Sequence, residues 1–124
     1  MGIPISDKER DFEKRIELTL EHIKGLLIEK GREYRRNANP FHNFERGAEI
    51  SGRTREEVLQ GFLLKHLISV EDLRNDSKFG NFPTIGKIHE KYNDILVYFL
   101  IEKAMMIEAA EQYERSAAVA RENG

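Results

Sequence analysis

The seven residues from Ile95 to Ile101 are all apolar or aromatic. A helix carrying that run has no polar face for one to two turns, so other elements must surround it. Glu90, Lys91 and Asp94 stand immediately before it. Ionisable groups one turn from the most buried part of a small protein are costly unless paired or used. That conflict points the search for function at the stretch from Thr84 to about Ala120.

The rest of the chain reads as helices that pack around this one. Ser6 with Glu9 forms a capping-box pattern, and Phe12, Ile16, Leu20, Ile23 and Leu27 follow at helical spacing, predicting a helix from about Asp7 to Gly31 or slightly beyond. A short helix from about Phe44 to Ile50 closes at Ser51 and Gly52. Thr54 with Glu57 repeats the capping box and opens a helix through Val58, Phe62, Leu63, Leu67, Val70 and Leu73, ending near Asn75. Gly80 and Pro83 mark a loop, and Thr84 caps the last helix, whose expected core stripe is Ile85, Ile88, Tyr92, Ile95 and Phe99, extended by Met106 and Tyr113. No stretch alternates as a strand does. The expected fold is all-α, a compact bundle of three long helices and one short one.

A chain of 124 residues with 40% hydrophobic content fits one domain, 1–124. The tail at 117–124 has little to bury and is expected to fray or meet a neighbouring subunit. Ile101, Met105, Met106, Ile107 and Tyr113 lie beyond the length such a bundle covers, which predicts a homo-oligomer. Lys+Arg 20 against Asp+Glu 22 leaves a formal charge of -2, not the basic footprint of a duplex-binding protein. With no cysteine, disulfides, thiolate zinc sites and cysteine nucleophiles are excluded. The first residues lack the basic region and long apolar run of a secretory signal, and Glu102 and Lys103 interrupt the apolar run well short of the roughly 20 residues that span a bilayer. A cytoplasmic protein is expected.

The connection after Gly31 is unusual in its chemistry. Lys30, Arg32, Arg35 and Arg36 cluster with Tyr34, Phe41, His42 and Phe44, placing phosphate-binding guanidinium groups beside rings on which a base can stack. Phe41 and Phe44 serve equally well as plugs for the core. On the third helix Lys65, Ser69 and Asp72 share a face flanked by His66 and Glu71. Glu13, Glu17 and Glu21 also share a face, either as a solvated stripe or as carboxylates for a divalent cation. Phosphate-binding glycine loops, the Gly-x-Ser-x-Gly elbow, the His-Glu-x-x-His zinc helix and the His-Asp dipeptide are all absent.

Glu33-Tyr34, Asn43-Phe44, Lys65-His66 with Asp72, and Ile88-x-Glu90-Lys91-x-x-Asp94-Ile95-x-x-Tyr98 together resemble phage and bacterial proteins of the nucleotide modification associated domain family. The resemblance covers roughly Leu26 to Ala104. Glu33-Tyr34-Arg35 stands where that family often has Asp-Tyr-Gly. More distantly, the last helix is similar to that of the all-α MazG-type nucleotide pyrophosphohydrolases, which hold magnesium with a Glu-x-x-Glu and a later Glu-x-x-Asp pair. Here Lys91-x-x-Asp94 occupies the second pair, and no clean first pair is present.

The resemblance implies nucleotide chemistry. In the leading expectation, a phage-type protein in the cytoplasm of its bacterial host binds, and sequesters, a nucleotide or nucleotide-like phosphate ligand through Arg32, Tyr34, Arg35, Arg36, Phe41, Phe44 and Lys65. In the alternative, Asp72, Glu90 and Asp94 hold a magnesium ion that activates water, with His66, Lys65 and Lys91 as candidate catalytic groups. Two readings without a ligand stay open: a salt-bridge network of Glu90, Lys91 and Asp94 that fixes helix register, and an inhibitor that blocks a host protein through its helical surface.

Overall fold

The computed structural model describes residues 2–34 and 38–124, with the backbone alone at positions 30, 31, 33 and 34. Four helices and no strand occur among the described residues: α1 (Asp7–Tyr34), α2 (His42–Ser51), α3 (Arg55–Lys78) and α4 (Ile85–Asn123). The caps are those the sequence predicts. Thr54 Oγ1 accepts from the Glu57 N–H at 3.1 Å, and Glu57 Oε1 accepts from the Thr54 N–H at 3.1 Å, closing a complete capping box. Thr84 Oγ1 accepts from the Lys87 N–H at 3.2 Å and starts α4. Gly52 ends α2 in the left-handed region at φ 72°, where a side chain is strained.

α4 is the spine. Its 39 residues run about 58 Å, against about 36 Å for the 24 residues of α3. The two are antiparallel: Arg55 at the start of α3 meets Met105 and Glu108, and His66 meets Asp94 and Tyr98. The end of α4 therefore projects past α3. Its tail is assigned as helix through Asn123.

The core sits between α2, α3 and the middle of α4. Phe44, Leu59, Leu63, Tyr98 and Met105 form it, with Phe41, Val58, Ile95 and Ile101 packed against them. α2 comes close enough to α3 that a Cβ on Gly47 would lie 2.9 Å from Val58 Cγ1. Of the expected stripe on α4, Ile95 packs against the core and the rest is corrected by this packing. Asn93, Val97, Tyr98 and Met105 face inward, while Ile85, Ile88, Tyr92, Phe99, Met106 and Tyr113 remain exposed. A helix that is apolar nearly all round can present more than one face to its neighbours, and periodicity alone does not choose. On α1 the predicted stripe is present, but only Ile23 of it is buried.

Candidate functional site

On α3, Leu59, Leu63 and Val70 are buried, and His66 falls on the same face at helical spacing. On α4, Asp94, Tyr98 and Glu102 lie at i, i+4 and i+8 and so form one stripe that continues to Met105. Antiparallel packing brings the two stripes together. His66 Nδ1 stands 3.5 Å from Asp94 Oδ2, each side chain 20% exposed. The imidazole stacks on the Tyr98 ring at 5.1 Å and 29°. One turn further along α4, Glu102 Oε2 is shut off from solvent and has no hydrogen-bond partner, alone in this among the described buried side-chain polar atoms. A carboxylate oxygen removed from water without a donor is costly, so this stripe calls for a donor.

Arg55 closes the adjacent end of the bundle. Its Nη1 donates to Glu108 Oε1 at 2.8 Å and Glu45 Oε1 at 3.3 Å, its Nε to Glu56 Oε1 at 3.4 Å, and its Nη2 to the Met105 carbonyl at 2.8 Å. The guanidinium also lies over the Phe41 ring, 5.1 Å from its centroid. Burial works against its charge, but the hydrogen bonds and negative charges of Glu108 and Glu56 outweigh that and raise its pKa above the ordinary value. One side chain thus ties α2, α3 and α4 together. It is a clip rather than a free phosphate ligand. At the capping box, hydrogen bonds from the Thr54 backbone and side chain hold the Glu57 carboxyl below its ordinary range.

The residues expected to bind a ligand are dispersed in environment. Arg35 and Arg36 lie outside the described residues, as does the Tyr34 side chain. Arg32 and Lys65 are exposed, and Lys91 is half-buried. Phe41 is half-buried beneath Arg55. Phe44 is fully buried and meets Phe62 edge-on at 5.9 Å, so it is a core residue and offers no face to a base. The three carboxylates offered to magnesium do not converge. Asp94 is engaged by His66, Glu90 sits on the surface 3.6 Å from Lys87 Nζ, and Asp72 is exposed on α3. No group of three His, Asp or Glu residues able to hold a metal ion occurs among the described residues, the stripe Glu13, Glu17 and Glu21 included. The same geometry removes Glu90 from any buried register network.

What the structure does assemble is a set of residues far apart in sequence. Phe44 and Tyr98 share the core, His66 lies on Tyr98, and Asp94 faces His66. Arg55 and Glu102 were not singled out from the sequence. Glu102 had a legible signal, its i, i+4, i+8 spacing with Asp94 and Tyr98; Arg55 had none, because its partner Glu108 lies 53 residues away. No family model matches the sequence, and no curated protein or solved structure matches it either. Among the described residues, no helix is long and apolar enough to cross a membrane.

Proposed function

We propose that this chain is a cytoplasmic, phage-type protein that binds a nucleotide or nucleotide-like phosphate ligand and holds it rather than hydrolysing it. The observation that carries this reading is the meeting of His66 with Asp94 and Tyr98 between α3 and α4, with the solvent-shielded Glu102 one turn further along the same stripe. Asp94 offers an acceptor to a hydroxyl or amino group of a sugar or base. Cations at Arg32, Arg35, Arg36, Lys65 and Lys91 supply charge for the phosphates. The protein is further taken to act as a homo-oligomer.

Holding is favoured over hydrolysis because Asp72, Glu90 and Asp94 do not come together as magnesium ligands, so no metal-activated step is assigned to them. The test is thermal denaturation with a panel of nucleoside mono-, di- and triphosphates, with and without magnesium. A ligand at 100 times its Kd stabilises by about 2.7 kcal/mol. At least one nucleotide is expected to raise the midpoint by several degrees and to be recovered intact. Asp94→Asn and the charge-removing pair Arg35→Gln and Arg36→Gln are expected to lose that rise. A panel with no shift for the unaltered protein overturns the reading; magnesium-dependent turnover that Asp94→Asn abolishes replaces it with the hydrolase.

A further inference from the structure

The described chain buries eight hydrophobic side chains and leaves 24 large ones exposed. Its accessible surface is 9759 Å², whereas a folded monomer of 14.5 kDa exposes about 6,900 Å². The difference of about 2,900 Å² is a few hundred Å² more than the roughly 1,000 to 2,500 Å² that an obligate homodimer interface removes from each copy. Some surface remains for the projecting end of α4.

Of these 24, ten lie on α4 and five on α1. α1 is 28 residues long and buries only Ile23 among its described side chains, although helices in water depend on packing of an apolar face for their stability. Phe12, Ile16 and Leu20 stand 62%, 45% and 61% exposed on one stripe. On other faces of the helix, with Leu18 nearly opposite Ile16 and Leu20, the residues Arg15, Leu18 and Thr19 form one wall of an open groove of about 850 Å³, whose other wall includes Ile88, Tyr92 and Leu96 of α4. Two helices cannot enclose such a groove. Two helices from each of two copies can, in the manner of a four-helix bundle.

We propose that a second copy of this chain docks along the α1–α4 face, so that α1 and the first half of α4 from each copy build a shared four-helix core. The interface is independent of the ligand: it uses Phe12, Ile16, Leu20, Ile88, Tyr92 and Leu96, none of which belongs to the His66–Asp94 centre.

Sedimentation velocity at tens of micromolar is expected to give the unaltered protein twice its 14.5 kDa mass. The double variant Ile16→Glu with Leu20→Glu is expected to sediment as a monomer, and Ile50→Glu, on an exposed residue of α2 away from this face, as a dimer. A monomer for the unaltered protein overturns the proposal, and so does a dimer that survives the double variant or is lost with Ile50→Glu. Should the double variant fail to fold, the cysteine-free background allows a gentler probe. The thiol of Leu20→Cys is expected to react at least tenfold more slowly in concentrated than in dilute protein, and that of Ile50→Cys equally fast in both. Equal rates for Leu20→Cys would again overturn it.

Discussion

The two ends of this bundle solve the same problem differently. Around Phe44, Leu59, Leu63 and Met105, three helices enclose a small core and Arg55 clips them across four carbonyl and carboxylate oxygens. At the other end α1 leans on α4 through the edge-to-face pair His22 and His89, 5.2 Å apart, and through Ile23, with little else buried. The first end contains what it needs within one chain. The second has the apolar surface for a core without the elements to close it. Helical content is therefore a poor guide to how self-sufficient a segment is: α1 is the second-longest helix and among the least buried.

The largest effects separate the ends by core truncation. Phe44→Ala removes a fully buried ring and is expected to cost about 3 to 5 kcal/mol in urea denaturation at any protein concentration. Ile16→Ala should cost well under that in dilute protein and more as concentration rises, because the proposed dimer would bury it against a second copy. A concentration-independent cost at Ile16 would erase the contrast. Breaking the clip comes next. Arg55→Met leaves Glu45, Glu56 and Glu108 without their shared cation and is expected to destabilise by about 2 kcal/mol, the partial exposure of those partners holding the loss below a fully buried pair's. A double-mutant cycle with Glu108→Gln should show coupling between the two positions; additivity would dismiss the clip.

Smaller changes probe the caps. Thr54→Ala removes the acceptor for the Glu57 N–H and should cost about 1 kcal/mol. Glu57 supplies a pH signature with a defined sign. Its folded pKa lies below the ordinary 4.5, so its contribution is present above that value and lost as pH falls through the depressed one. The acid side of the thermal stability profile should therefore be less steep in Glu57→Gln than in the unaltered protein, and parallel profiles would exclude the carboxylate's role.

Local chemistry made the helices and their starts legible. Thr54 with Glu57, Thr84, and the glycines after α2 and α3 act within a few residues, and the structure uses each as the sequence predicts. The inward face of α4 was not legible, because Ile95 to Ile101 satisfies any face equally. The stripes on α1 and α4 were real amphipathic signals, but a pattern that serves a neighbouring molecule reads the same as one that serves the chain's own core. The site was half legible: His66 and Asp94 could be named because polar groups beside an apolar run are conspicuous. Asp72 and Glu90 could not be excluded from it without knowing how α3 turns against α4, and Arg55 required contacts from helices 10 and 53 residues away.

Hydrogen exchange measured amide by amide at two protein concentrations tests the contrast between the ends most directly. Amides of α1 between 7 and 28 are expected to exchange at least tenfold faster in dilute than in concentrated protein, while those of 55–70 and 97–108, in the clipped end, keep their rates. Unchanged α1 exchange on dilution, or a uniform change across all four helices, would contradict a molecule with one self-sufficient end and one completed by its partner.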